Sequence, residues 1–300
     1  MALITFDDFK KKYKISEDEL RRIHEDYGRK IDYFGEMLEQ FIDEFLSPSR
    51  IRERGLRVHS IGSRVKDPEH LIEKLVRKKR ENALKYDRCN SENYLKFVTD
   101  LIGIRILIVY KSDWENIHGY LMSVFDSDEK NYIGDPIESY DESEEHTYLA
   151  EPPKVHIRNG DRRDIYEKVL SPDKVVDNKV YRSVHYIVKY RGLYVEIQVR
   201  TLFEEGWGEV NHSILYPVNN GNATFQEYSD LLNRLSGLAD EMSSFFIILK
   251  DEVMNKDCKK EDVNEADKED LNSSDADKSL ITAEEDVVTY QNSIDKVIKR

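Results

Sequence analysis

From Phe6 to about Leu46 the apolar residues return every three or four positions, through Ile23, Tyr27, Ile31, Phe34, Leu38, Phe41 and Phe45, and the run stops at Ser47-Pro48-Ser49. That spacing predicts a pair of helices lying beside a core. A short apolar run from Leu56 to Ile61 predicts a strand. Asp67-Pro68-Glu69 then supplies an N-cap, a first-turn proline and an acid for a helix reaching about Arg80, with Leu71, Ile72, Leu75 and Val76 as its inward stripe. Leu101 to Tyr110 is β-branched and almost continuously apolar, the composition of a strand buried on both faces.

Tyr181 to Tyr190 and Gly192 to Arg200 predict two further strands joined by a tight Tyr190-Arg191-Gly192 turn. In the second of these, Val195, Ile197 and Val199 project from one face and Glu196, Gln198 and Arg200 from the other. Thr201-Leu202-Phe203-Glu204 has the form of a capping box, and the helix it opens carries Phe203, Trp207, Val210 and Ile214 inward until Pro217 and the Asn219-Asn220-Gly221-Asn222 stretch end it. A last helix is predicted from Thr224 to about Val253, with Tyr228, Leu231, Leu235, Leu238, Met242 and Phe246 as its buried stripe. Asn255 to Ser279 is poor in apolar residues and rich in acids, which predicts a flexible linker before a short terminal helix. There is no internal repeat.

With 300 residues and 39% hydrophobic content the chain can bury one substantial core with extensions. No stretch approaches the roughly 20 apolar residues of a membrane span. The N-terminus, Met1-Ala2-Leu3-Ile4-Thr5-Phe6-Asp7-Asp8, has no basic start leading into an apolar run. Cys89 and Cys258 lie far apart in polar surroundings and fit neither a metal spacing nor a disulfide framework. The expectation is a cytoplasmic protein with no membrane partner. The net charge of -14 is partitioned: Arg50 to Lys111 holds 16 basic against 8 acidic residues, whereas Asp126 to Glu151 holds 1 lysine against 10 acids and Asp251 to Arg300 is again acidic. A basic core with acidic attachments keeps a polyanionic partner open.

The candidate chemistry sits on this frame. Glu196, Gln198 and Arg200 bring a carboxylate, an amide and a guanidinium to one surface, continued by Trp207, Glu209 and His212 on the next helix. Asp100, at the mouth of an apolar strand, is a second acid, and the two suit a divalent metal held against phosphates. Taken singly, Asp100 is equally a turn former and the alternation equally a half-buried strand. Arg64 and Lys66 end a strand just before a helix N-terminus, as a phosphate grip would require, followed by the cluster Arg77-Lys78-Lys79-Arg80. Arg105 interrupts an apolar run and would cost several kcal/mol if buried alone, so it should reach a cleft where an anion or an aromatic base meets it. Tyr181, Ser183 and His185 share one strand face and offer a ring for stacking and an imidazole for a phosphate or hydroxyl contact.

In order along the chain these motifs resemble the synthetase domain of the RelA/SpoT family, the makers of guanosine tetraphosphate and pentaphosphate. The resemblance covers about Leu56 to Tyr216. Ser63-Arg64-Val65-Lys66 is similar to the family's basic strand end, Asp100, Gly103 and Arg105 to its Asp-x-x-Gly-x-Arg, Tyr181, Ser183 and His185 to its Tyr-x-Ser-x-His, and Glu196 to Thr201 to its Glu-Ile-Gln-x-Arg-Thr. It implies an α+β fold, a mixed β-sheet flanked by helices and related to nucleotidyltransferases, with N- and C-terminal helical extensions. It implies transfer of pyrophosphate from ATP to the 3′-hydroxyl of GDP or GTP, with Mg²⁺ as cofactor. Asp100 would hold the metal, and Glu196 would assist it or act as the base. Arg64 and Arg105 would stack on adenine, and Lys66 would contact the ATP phosphates. Tyr181 would stack on the acceptor base, with His185, Gln198 and Arg200 on the acceptor side.

The chain departs from the family where a Lys-x-x-Gly segment usually leads into the Tyr-x-Ser-x-His strand; here it reads Asp173-Lys174-Val175-Val176-Asp177-Asn178-Lys179-Val180, with Lys174 or Lys179 as replacements. No His-Asp dipeptide occurs, which points away from alarmone hydrolysis. Two alternatives stay open: pyrophosphorylation of the 3′ end of tRNA, and a non-catalytic nucleotide-binding regulator. The implied division is a helical segment 1–50, a synthetase domain 51–218, a C-terminal helix 219–254 and an acidic tail 255–300. The C-terminal part leaves homo-oligomerisation open.

Overall fold

Ile102, Ile104 and Ile106 of one central strand and Val195, Ile197 and Val199 of its neighbour all face the same side of the sheet, and that side is the core. The computed structural model describes residues 16–134, 146–178, 181–215 and 223–270. Among these residues the sheet comprises β1 (Ser60–Val65), β2 (Ile102–Ile108), β3 (Tyr148–Leu149), β4 (Lys154–Arg158), β5 (Val175–Asn178), β6 (Ser183–Tyr190) and β7 (Leu193–Thr201). Their order is β1-β2-β7-β6-β4-β5, with β3 also pairing β6. The β2–β7 and β4–β5 pairs are parallel and the rest antiparallel, so the expected mixed α+β sheet is the one observed.

The helices are α1 (Glu17–Phe41), α2 (Pro48–Glu53), α3 (Pro68–Glu81), α4 (Ala83–Tyr86), α5 (Trp114–Val124), α6 (Asp164–Glu167), α7 (Leu202–Val210) and α8 (Ala223–Asp270). Of the expected N-terminal pair, the part before Ser16 lies outside the described residues; the rest is α1, which loosens into a π-turn at Ile42–Leu46. It buries Leu20, Ile23, Tyr27, Phe34, Leu38 and Phe41, and its opening Glu17, Asp18 and Glu19 complement the helix dipole. Tyr27 packs edge-on against Tyr94 and Phe41 against Tyr190, tying α1 to a loop and to the sheet. From α5, the Trp114 Nε1–H donates to the Tyr186 hydroxyl at 3.1 Å.

β1 begins later than Leu56, the predicted start. Leu56 and Val58 do pack against the core, but pairing starts only where the His59 N–H donates to the Leu107 carbonyl at 2.8 Å. An apolar run signals burial, and burial without a partner strand is a lead-in rather than a strand. β2 is not buried on both faces: its isoleucines are buried while Gly103, Arg105 and Leu107 are half-exposed. The β6–β7 turn is the expected tight one, with Arg191 at φ 46° and Gly192 at φ 78°, the two left-handed positions of a type I′ hairpin. The capping box at Thr201 forms in full, although Phe203, predicted inward, is exposed.

α8 differs from its predicted form twice. It stays helical to Asp270, through the stretch expected to be a linker, because from Asn255 to Asp270 neither glycine nor proline interrupts a run rich in lysine and glutamate. Its predicted buried stripe also faces outward, with Tyr228 67%, Leu235 53%, Leu238 55%, Met242 60% and Phe246 62% exposed, and Leu231 exposed with them. Ser229, Asn233, Ser236 and Asp240 are buried instead. The surface they meet is polar: Arg182 Nη1 donates to Asn233 Oδ1 at 2.8 Å and Trp207 Nε1 to the Ser229 carbonyl at 3.3 Å. The chain divides into two units, Met1–Ile247 and Ile248–Arg300, and the sheet lies in the first. Among the described residues no helix is long and apolar enough to cross a membrane.

Candidate active site

β7 is the spine of the site. Its alternation turns Glu196, Gln198 and Arg200 away from the core, and the register sets Gly103 and Arg105 of β2 beside Glu196 and Gln198. On the other flank β6 sets Ile187 and His185 beside the same two residues, and β4 sets His156 beside Ser183. Arg64 of β1 pairs with Gly103. Side chains at alternate positions of paired strands share a face, so five strands contribute Arg64, Arg105, His156, Ser183, His185, Glu196, Gln198 and Arg200 to one surface.

Hydrogen bonds join part of that surface into a closed ring. Gln198 Nε2 donates to Glu196 Oε2 at 2.6 Å, and Gln198 Oε1 accepts from Arg200 Nη2 at 2.6 Å. Arg200 Nη2 also donates to the Tyr181 hydroxyl, and its guanidinium lies 5.0 Å from the Tyr181 ring centroid. The Tyr181 hydroxyl meets His185 Nε2 at 2.9 Å, and His185 Nδ1 lies 3.2 Å from Glu196 Oε1. A proton on Nδ1 satisfies both contacts: Nδ1–H donates to Glu196 and Nε2 accepts from Tyr181. Burial pushes the Glu196 carboxyl up, but His185, Gln198 and Lys74 outweigh it and hold the group at about 2. It is therefore a carboxylate at any ordinary pH.

Asp100 stands just before β2, held by two ammonium groups: Lys66 Nζ lies 3.2 Å from Oδ2 and Lys74 Nζ 2.6 Å from Oδ1. Lys66 is fixed through its main chain, its N–H donating to the Leu101 carbonyl at 2.8 Å and its carbonyl accepting from the Tyr27 hydroxyl at 2.6 Å. Lys74 comes from α3, whose start is fixed by Asp67 Oδ1 accepting from the Glu69 N–H at 2.9 Å with Pro68 in the first turn. Burial draws the Lys74 ammonium below its ordinary value against the pull of Asp100 and, more weakly, of Glu196.

Arg105 meets an anion, and the anion is internal. Its Nη1 donates to Glu205 Oε1 at 2.5 Å and Glu209 Oε1 at 2.6 Å, on successive turns of α7. Glu205 Oε2 also accepts from Arg200 Nη1 at 3.0 Å, linking Arg105 to the ring. Arg64 is exposed, lies over Gly103 and has no carboxylate partner among the described residues. Lys174 pairs with the adjacent Asp173 at 2.7 Å, and Lys179 lies outside the described residues.

Sequence reasoning missed three members of the site. Lys74 adjoins Leu71 and Leu75, and a lysine on the flank of an inward stripe was its only signal. Glu205 stands one turn before Glu209, so their four-residue spacing could have suggested a clasp for an arginine. For His156 the signal was the short alternation Lys154-Val155-His156-Ile157-Arg158, around which no strand was predicted; its ring lies 5.0 Å from that of His185, and burial and then His185 hold it down at about 4, so it is neutral.

Fold and face together define a class: an α+β domain whose mixed sheet commits one face to a core and the other to a fixed array of acids and cations. The chain belongs to the RelA/SpoT family, since the family model described as "Region found in RelA / SpoT proteins" matches residues 63–221, over half of its length. Among solved structures it is similar to small alarmone synthetase 1 from Bacillus subtilis bound to its product pppGpp, at 17% identity over 76% of this chain and 98% of that one, TM-score 0.47. It is also similar to a GTP pyrophosphokinase family protein from Streptococcus pneumoniae, at 16% identity over 77% and 95%, TM-score 0.49. Small alarmone synthetase 2 from Bacillus subtilis is similar at 19% identity over 76% and 99%, TM-score 0.46. No curated protein matches the sequence.

Proposed function

We propose that the protein is a Mg²⁺-dependent pyrophosphokinase that moves the β,γ-pyrophosphate of ATP to the 3′-hydroxyl of GDP or GTP. The observation that carries this reading is Asp100, gripped by Lys66 and Lys74 at the mouth of β2, with Glu196 on the paired strand β7. Two carboxylates at one end of a sheet suit Mg²⁺, which takes one or two such ligands and completes its shell with phosphate oxygens and water. Asp100 and Glu196 are the residues that would hold it, and when bound it would neutralise phosphate charge and orient the donor.

The chain's own groups supply the rest. Lys66 and Lys74 stand at the same carboxylate, within reach of phosphates bound beside it. Arg64, exposed and without a carboxylate partner among the described residues, suits stacking on adenine, while Arg105 is clasped by Glu205 and Glu209 and offers a fixed plane. Tyr181, held by Arg200 and His185, is the acceptor-side ring, with Gln198 beside it. Of the two roles open to Glu196, holding the metal is favoured, because a carboxylate held at about 2 is a weak proton acceptor near neutrality. In this reading residues 51–218 form the catalytic part and 1–50, 219–254 and 255–300 its extensions.

Incubation with γ-labelled ATP and GDP, GTP or deacylated tRNA tests the proposal. Label is expected in the guanine nucleotide. Label only in tRNA would move the chemistry to an RNA end, and no labelled acceptor would overturn the reading.

A further inference from the structure

The β6 ladder begins at Ser183, which pairs with His156, so Tyr181 and Arg182 lie ahead of it and are held by side chains instead of by strand pairing. The Tyr181 N–H donates to Asn178 Oδ1 at 2.5 Å. Arg182 takes no part in the ring of the site. It is 4% exposed, and a guanidinium that far from water needs its N–H groups paired. Asp161 accepts from Nε at 2.5 Å and from Nη2 at 3.0 Å, a bidentate pair. Nη1 donates to Asn233 Oδ1 at 2.8 Å and to the Asn233 carbonyl at 3.3 Å. Asp161 supplies the neutralising charge, and fully buried Asn233 supplies acceptors that add none. α8 is shaped to the group. Gly237 lies four residues after Asn233, on the same helix face, and a Cβ there would fall 2.7 Å from Arg182 Nη2. Glycine is second only to proline in disfavouring a helix interior; here it leaves the guanidinium its room.

This notch acts on the site through the two neighbours of Arg182, which project to the other face. The Tyr181 hydroxyl accepts from Arg200 Nη2 and meets His185 Nε2 at 2.9 Å, and Ser183 Oγ accepts from Arg200 Nε at 3.3 Å. Glu205 holds the same guanidinium from its other side at 3.0 Å. Freed of α8, Arg182 would carry Tyr181 out of that arrangement, and a misplacement of about 1 Å in a substrate-positioning group can slow a reaction on the order of 10²-fold. The donor side is built elsewhere: Arg64, Lys66 and Asp100 are fixed from β1, α3 and the start of β2. We propose that Asn233 and Gly237 of α8 are positioning residues, which seat Arg182 and through it hold Tyr181 in the geometry that receives the acceptor nucleotide. The acceptor role rests on the catalytic reading above; the seating does not.

Steady-state transfer on the full chain, with GDP and ATP varied in turn, tests the proposal. Asn233→Ala removes one acceptor and keeps the carbonyl; it is expected to raise the KM for GDP about tenfold and leave that for ATP within about twofold. Gly237→Ala keeps Asn233 but crowds the guanidinium, and should give the same split. Ile104→Ala, weakened in the core, is the comparison, because a smaller folded fraction lowers turnover and moves neither KM. Equal changes in both KM values, or no change in either, would overturn the positioning role. The imidazole nitrogen resonances of His185 give a readout that needs no turnover. Asn233→Ala should shift Nε2, which accepts from Tyr181, whereas Ile104→Ala should leave it in place; an unshifted Nε2 in Asn233→Ala overturns the seating. If the wild-type chain labels no acceptor, the catalytic reading fails, and the His185 resonance alone decides whether α8 positions Tyr181.

Discussion

On one face of β2 and β7, Ile102, Ile104, Ile106, Val195, Ile197 and Val199 are at most 2% exposed; on the other, Arg105, Glu196 and Gln198 are half-buried and joined by hydrogen bonds. Both faces come from the same alternation, yet they are held by different physics. Apolar side chains are positioned by shape and by area removed from water, which any side chain of similar volume partly supplies. The polar face is positioned by a closed ring in which each group satisfies the next, so removing one member leaves another without its partner. The core face should therefore answer to substitution with stability, and the polar face with activity.

The widest separation is expected from Asp100→Asn and Glu196→Gln. Each should lower pyrophosphate transfer ~10³-fold or more, on the order of 4 kcal/mol of barrier, while the chain stays folded and its melting point falls less than for a core substitution. A melt that falls as far as for a core substitution would merge the two faces. In the reverse experiment, Ile104→Ala should cost roughly 2–5 kcal/mol in urea unfolding, with turnover per folded molecule nearly unchanged.

Two glycines sharpen the contrast within the helices. At Gly237 of α8 an added Cβ would lie 2.7 Å from Arg182 Nη2, a group pinned by Asp161 and Asn233. Gly237→Ala should therefore destabilise by about 1–3 kcal/mol. At Gly35 of α1 nothing lies within 4 Å, so Gly35→Ala should stabilise by about 0.5–1 kcal/mol. Between them in size comes Asp240, where burial and then Glu204 raise the carboxyl to about 7 against the pull of Lys111. It is 2% exposed and finds no well-formed hydrogen bond among the described residues beyond the nearby Thr201 hydroxyl. From its ordinary value up to about 7 the folded state binds more protons there than the unfolded state, so stability falls as pH rises through that window. Asp240→Asn should flatten the fall and stabilise the protein at pH 8 by on the order of 1–2 kcal/mol. A pH profile that keeps its slope in the variant would assign that slope to another group.

Much of this was legible along the chain. The Asp67 cap, the Arg191-Gly192 turn and the Thr201 capping box are local devices, each decided by a few adjacent residues, and each formed as written. The alternation of β7 announced which of its residues share a face, but not that Gln198 would bridge Glu196 and Arg200, or that Lys74 would join Asp100. Those contacts depend on strand order and on where α3 lies, which no local signal encodes. His156 shows the limit most plainly, since it enters the face through β4, whose alternation Lys154-Val155-His156-Ile157-Arg158 is only five residues long.

α1 and α8 mark the boundary between the two kinds of information. Both carry an apolar stripe at helical spacing, and the sequence alone determined that each is an amphipathic helix, because backbone geometry converts spacing into faces. Only the tertiary structure decided that α1 turns its stripe to the core while α8 turns its stripe to solvent. The reason is the surface each helix meets: α1 lies on aromatic and aliphatic side chains, whereas α8 lies on Arg182 and the Trp207 N–H, buried polar groups that a leucine could not satisfy.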